Sequence, residues 1–153
     1  MSESKISQTE FQQVIPHELK PYVHVSISAI PESARSIVEA FGISLNSLNG
    51  RIRIRKDIHV MITPAPFTVN LSNGKLVYEP TTPGVINVHI ENMIIFLDWQ
   101  KMMQLDLPLQ VACILEEFAH ACMNISDEAL VSDVVALLYD GVEIRNGQYF
   151  VRT

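Results

Sequence analysis

The segment LEEFAH, residues 115–120, sets two carboxylates and an imidazole inside an otherwise apolar stretch. Between residues 109 and 123 only one other side chain is polar. At 3.6 residues per turn, Glu116 and His120 share one face of a helix, and Glu117 lies beside them, one turn from His120. A helix that is apolar nearly all round is normally buried, and a buried charge costs free energy unless it is paired or binds a metal. The segment therefore predicts a buried helix whose charged residues line a cleft or form a narrow solvent stripe.

The composition favours one well-folded domain. The chain has 153 residues, of which 48% are hydrophobic, and its mean hydropathy is +0.19. These values leave little room for long disordered segments. The formal charge of −6 and the pI near 5.3 argue against nucleic acid or an anionic membrane as partner, because both attract basic surfaces.

The sequence has no evident secretory or membrane-spanning segment. Residues 1–8 lack the apolar core of a secretory signal, and the longest apolar runs, such as residues 93–97, are far too short to span a bilayer. Cys113 and Cys122 lie more than two turns apart on one predicted helix, beyond disulfide reach. We interpret them as reduced core residues and expect a cytoplasmic protein.

The order of the predicted elements is typical of an α+β domain. We expect residues 1–13 to form a mobile or loosely attached arm. Residues 14–153 are expected to form a single domain in which an antiparallel or mixed sheet packs on the buried helix. The predicted elements are a helix from residue 31 that Gly42 ends, strands 22–30, 51–62 and 85–91, a hairpin of strands 67–71 and 75–79, the helix 108–123, a helix 127–139 with Ser126 as its N-cap, and a terminal hairpin of strands 142–145 and 148–151.

The spacing of the charged cluster matches a metal-binding pattern. In the motif HExxH, two histidines one helical turn apart bind a zinc ion, and the intervening glutamate is the general base. Residues 116–120, EEFAH, keep that spacing with a glutamate in place of the first histidine. A second predicted helix follows at once, and its first residues are acidic.

This pattern resembles the small zincin-like metallopeptidases of the minimal gluzincin type. The resemblance covers roughly the second half of the chain, and the helix from residue 31 and the following strands are consistent with the same core. It implies that Glu117 is the general base and that His120 is a metal ligand. Asp127 or Glu128, at the start of the next helix, is the candidate third ligand, and Glu116 stands where the family has a histidine.

The glutamate at position 116 is the main departure from the family pattern. A carboxylate is a harder ligand than imidazole and adds negative charge, so the site suits zinc less well and manganese or iron(II) relatively better. A site that has lost its metal remains an alternative. The plainer interpretation is that Glu116, Glu117 and His120, together with Gln110, form an ordinary solvent-exposed helix stripe. In that interpretation Asp127 and Glu128 complement the macrodipole of their helix.

Two other features suggest binding surfaces. In the predicted strand 85–91, Asn87 and His89 share one face, and in a zincin-like fold such a strand pairs with extended substrate, so both residues are candidates for the substrate cleft. Arg51, Arg53 and Arg55 alternate with isoleucines and predict a basic stripe on one sheet face. A solvated face is the plain alternative for both.

Our first interpretation is a zincin-like domain with a degenerate metal motif, catalytically impaired, that acts as a binding or regulatory module. Its partner is then a peptide or protein, or a second copy of the chain in a homo-oligomer. The alternative is an active metal-dependent hydrolase, a peptidase, in which Glu117 is the general base and His120 and Glu116 are metal ligands. An unrelated structural domain with an exposed stripe is the third interpretation.

Overall fold

The helix that carries the charged cluster lies at the centre of the domain, in contact with two other helices, one edge of a sheet and a terminal hairpin. The computed structural model describes residues 3–64, 68–72, 75–79, 87–90 and 94–153. Its elements are α1 (Gln8–Gln13), β1 (Val23–Ile27), α2 (Ser36–Leu48), β2 (Ile58–Thr63), β3 (Thr68–Ser72), β4 (Lys75–Glu79), β5 (Asn87–Ile90), β6 (Ile94–Asp98), α3 (Trp99–Met102), α4 (Leu107–Met123), α5 (Glu128–Leu138), β7 (Val142–Arg145) and β8 (Gln148–Val151), with short 3-10 helices at His17–Leu19 and Glu32–Ala34.

The principal sheet is mixed. Its strand order is β1-β2-β6-β5; β1, β2 and β6 are parallel, and β5 runs antiparallel to β6 at one edge. Helix α2 connects the parallel strands β1 and β2, as a parallel pair requires a crossover. Two separate hairpins, β3–β4 and β7–β8, are both antiparallel. The prediction of a single α+β domain in which a sheet packs with helices is confirmed. Of the two alternatives for the sheet, antiparallel or mixed, the structure has the mixed one.

Helix α2 continues past the point where we predicted its end. Gly42 is buried within it, and the helix runs on to Leu48. A Cβ atom at position 42 would lie 3.1 Å from Cβ of Val14. The glycine therefore serves close packing against the N-terminal segment, and the prediction that it stops the helix is wrong.

The second strand is shorter than predicted. Only Ile58–Thr63 forms β2, and residues 51–57 are turn and irregular chain. Arg51 donates a hydrogen bond of 2.9 Å to the carbonyl of Leu138, at the carboxyl end of α5, where a cation complements the helix dipole. The three arginines therefore do not form a stripe on a sheet face.

The N-terminal segment packs on the domain. Ser7 and Glu10 form a capping box at the start of α1, and the ring of Phe11 is fully buried with its edge toward Phe41, 5.7 Å between centroids. Ile6 is also buried. The prediction of a mobile arm over residues 1–13 does not describe residues 6–13, because Ile6 and Phe11 are core residues.

The end of α4 and the start of α5 lie within one residue of their predicted positions. Helix α4 finishes at Met123, and Asn124 follows with φ +52°, a left-handed conformation typical of a helix C-terminus. Helix α5 is capped by Asp127, one residue later than the predicted cap Ser126. In the part of the chain that the structure describes, no helix is both long and apolar enough to cross a membrane.

Candidate metal centre

Three side chains from α4 and α5 converge at one point. Glu116 and His120 lie one turn apart on α4, and Glu128 lies in the first turn of α5. One potential ligand atom from each of the three lies within 4.8 Å of the other two. These residues, which we call the ligand cluster, are the only such group of three among the residues that the structure describes.

The structure separates the two candidates for the third ligand. The Asp127 carboxylate accepts a hydrogen bond of 3.0 Å from the backbone N–H of Leu130 and caps α5. It lies outside the ligand cluster. Glu128, the next residue, approaches His120 with 3.6 Å between its Oε2 and the ring Nε2. The sequence left Asp127 and Glu128 open, and the geometry favours Glu128.

The ring of His120 is held in one orientation. Its Nδ1 lies 2.6 Å from the carbonyl oxygen of Ile125. Because a carbonyl only accepts, Nδ1 carries the proton of that hydrogen bond, and in the neutral ring Nε2 then carries a lone pair, 3.6 Å from Oε2 of Glu128. A backbone carbonyl on the second ring nitrogen is the usual way in which a metal-binding histidine is oriented.

Glu117 is a buried acid beside the ligand cluster. The residue is only 8% exposed, and its Oε2 is buried with no hydrogen-bond partner. Burial is the main cause that raises the pKa of this carboxyl to about 7; His120 opposes the rise, and Glu116 and Glu128 add smaller contributions to it. A carboxyl whose pKa lies near neutrality can both take up and release a proton at physiological pH.

A tyrosine from the terminal hairpin contacts one residue of the ligand cluster. Tyr149, on β8, donates a hydrogen bond of 2.7 Å from its hydroxyl to Oε2 of Glu116. Ser132 on α5 lines one cavity with Tyr149 and Glu116. The sequence analysis missed both residues, because no local pattern tells which helix a terminal hairpin will contact.

Two cavities adjoin the ligand cluster, and Glu128 lines both. The first has a volume of about 370 Å³ and also contains Glu117 and His120 together with the loop that joins α4 to α5. The second, about 390 Å³, contains Glu116 and Tyr149 and has an apolar wall that includes Leu109. The cluster therefore lines two cavities, which corresponds to the first of the two alternatives, cleft or solvent stripe, that the sequence left open.

Three other residues belong to the predicted helix stripe or substrate cleft: Gln110, Asn87 and His89. Gln110 is buried, and its amide donates to the carbonyls of Met102 and Leu105, so it caps the turn after α3. Asn87 and His89 fall in β5, the edge strand that packs beside α4. Their place in a substrate cleft stays a prediction.

The two cysteines are unpaired thiols, as predicted. Burial raises the pKa of Cys113 to about 12, and the neighbouring Glu116 and Glu117 act in the same direction. Burial alone raises the pKa of Cys122 to about 12. Neither thiol is poised to act as a nucleophile at neutral pH.

The ligand cluster fits a divalent cation. Two carboxylates and one oriented imidazole form a donor set rich in oxygen, which suits manganese or iron(II) relatively better than an all-nitrogen set and still permits zinc. Two of the three side chains belong to consecutive turns of one helix, and the third follows after a short loop.

No protein-family model, curated protein or solved structure matches this chain. The resemblance to zincin-like metallopeptidases stays a prediction, and the site geometry is the argument for it.

Proposed function

We propose that this protein is a metal-dependent hydrolase that cleaves peptide bonds in the manner of a minimal zincin. The observation that carries the proposal is the buried carboxylate of Glu117, which has an oxygen without a hydrogen-bond partner beside the ligand cluster. Such a group destabilises the fold by about 1–3 kcal/mol. A role as general base gives a reason for its presence, because perturbed carboxyls in clefts are typical of catalytic sites.

Each residue has a distinct part in the proposed reaction. Glu116, His120 and Glu128 hold the cation, with the Ile125 carbonyl fixing the His120 ring. The cation, when bound, acidifies water and polarises a carbonyl. Glu117 takes a proton from the attacking water and later returns it to the leaving amine, and a pKa of about 7 suits both transfers.

A second candidate is the impaired binding module that was our first interpretation. The exposure of Glu128, whose side chain is 75% accessible against 14% for His120, favours this alternative. A ligand that must be ordered from solvent holds a cation less firmly than one fixed by packing. In that case the cleft binds a peptide or protein without cleaving it. Homo-oligomerisation and a cytoplasmic location remain predictions in both cases.

Metal content tests the site itself. Protein purified without chelator or affinity metal is measured by elemental analysis, beside the variants Glu116→Ala and His120→Ala. We expect near-stoichiometric manganese, iron or zinc in the wild type and its loss in both variants. Absence of metal, even after incubation with all three ions, would contradict the proposal and the second candidate's metal site alike.

A catalytic variant separates the two candidates. Glu117→Gln keeps the shape of the side chain and removes the base. We expect the metal-loaded wild type to cleave a mixture of short peptides, followed by mass spectrometry, and the variant to keep its metal and lose at least about 100-fold in rate. Equal rates would refute the mechanism. A wild type that holds metal and cleaves nothing would favour the binding module, and Glu116→His should then create tighter zinc binding.

A further inference from the structure

We propose that Tyr149 is a positioning residue that fixes the Glu116 carboxylate as a metal ligand. The inference rests on the metal centre of the proposed function and assigns a role to the terminal hairpin, which nothing in the EEFAH pattern suggests. It begins from one contact, the 2.7 Å hydrogen bond from the Tyr149 hydroxyl to Oε2 of Glu116.

The contact has a definite direction. A phenol has one hydrogen, which goes to the carboxylate because an ionised carboxylate only accepts. Tyr149 therefore donates to Glu116, and this contact joins β8 to α4 at the ligand cluster. Ser132 and Glu128 of α5 line the cavity beside it.

The hydrogen bond from Tyr149 supplies the fixed orientation that a glutamate ligand lacks on its own. A histidine ligand has a rigid ring, which one hydrogen bond on its second nitrogen is enough to orient, as the Ile125 carbonyl does for His120. A glutamate has three rotatable bonds and two equivalent oxygens, and ordering it costs conformational entropy. A short hydrogen bond to one oxygen orders the carboxylate before a cation binds and directs its remaining electron pairs.

The surroundings of the hydroxyl strengthen the bond. Tyr149 and Glu116 are both partly buried, and their contact is 2.7 Å long. A hydrogen bond to a charged acceptor in a partly dry site is stronger than one between neutral groups.

The test removes single hydroxyls. Chelator-stripped wild type and Tyr149→Phe are titrated calorimetrically with Mn²⁺ and with Zn²⁺. Tyr139→Phe serves as the matched control, because it removes a partly buried tyrosine hydroxyl at the end of α5. We expect Tyr149→Phe to weaken binding of both ions about 10- to 100-fold, the range found when an outer-shell partner is removed. Tyr139→Phe should leave it unchanged.

A spectroscopic measurement separates positioning from mere support of the fold. The visible absorption of bound Co²⁺ depends on the arrangement of its ligands, so we expect the spectrum to change in Tyr149→Phe at saturating Co²⁺. An unchanged spectrum with unchanged affinity would overturn the inference while the metal centre stands. Weaker binding that parallels a loss of thermal stability, with the same spectrum, would also overturn it in favour of a structural role.

Two further outcomes are decisive. If Tyr149→Phe does not fold, Tyr149→Leu, which also removes the hydroxyl, carries the test; unchanged affinity and spectrum in that variant would then overturn the inference. If the wild type itself binds none of the three ions, the proposed function fails first, and with it the ligand that Tyr149 is proposed to position.

Discussion

The buried carboxyl of Glu117 should make the stability of the metal-free protein depend on pH in a way that a glutamine at this position abolishes. Burial raises the pKa of this group from 4.5 to about 7 in the folded protein. Between these two values the native state holds a proton that the unfolded chain has released. The free energy of unfolding of the wild type therefore falls as pH rises through this window. Below and above the window, the contribution of Glu117 to that free energy does not change with pH.

The magnitude follows from the same two values. At about 1.4 kcal/mol per pH unit, ionisation of Glu117 costs the fold roughly 3 kcal/mol once the pH exceeds 7. Glu117→Gln has no proton to lose. Its buried amide is also short of partners, which costs about 1–3 kcal/mol, but this cost is the same at every pH. We therefore expect the stability of the variant, relative to the wild type, to increase by about 3 kcal/mol between pH 4.5 and pH 8.

The assay is urea denaturation followed by circular dichroism, in the presence of chelator, at half-unit steps from pH 4.5 to pH 8. Differences between the two proteins cancel the titration of the other groups. Asp133→Asn, an exposed change on α5, removes the same charge and should shift stability by less than about 0.5 kcal/mol throughout. A difference between wild type and Glu117→Gln that stays flat over the whole range would refute the assignment of a buried, perturbed acid at position 117.

Two further predictions test which acidic residue caps α5 and which binds the cation, and how the N-terminal segment packs. Asp127→Ala should cost about 1 kcal/mol of stability through the lost helix cap and leave metal content unchanged, whereas Glu128→Gln should reduce metal content with little change in stability. Elemental analysis and thermal melts of both variants would contradict the assignment if they showed the reverse pattern. Phe11→Ala should lower the free energy of unfolding by about 3–5 kcal/mol, because its ring is fully buried against Phe41; a loss below about 1 kcal/mol in urea denaturation would show instead that the segment is loosely attached.

The helices of the site were predictable because their signals are local. The apolar run around residues 115–120 and the acidic residues after it specify α4, the turn and the start of α5, and the Asn146-Gly147 pair specifies the terminal hairpin. The ligand cluster follows from helical spacing alone for Glu116 and His120. The choice of Glu128 over Asp127 required the structure, since either residue at a helix start can cap or ligate.

The errors arose where tertiary contacts override local preference. Gly42 is a helix breaker by propensity, but the approach of Val14 to the helix backbone leaves no ordinary space for a side chain there. The alternation of arginine and isoleucine after residue 50 is typical of a strand, yet Arg51 caps the end of α5. The contact of Tyr149 with Glu116 joins residues 33 positions apart, and no periodicity encodes it.

The left-handed conformation of Asn124, φ +52° and ψ +41°, has a consequence for engineering. The turn directly after α4 lets the proposed ligands, which together with the proposed base all lie within residues 116–128, meet at one point. That stretch can be exchanged as a single synthetic cassette, while Tyr149, Ser132 and the sheet remain as a fixed frame. Libraries of donor sets, from all-carboxylate to all-histidine, can thus be compared in an otherwise identical protein.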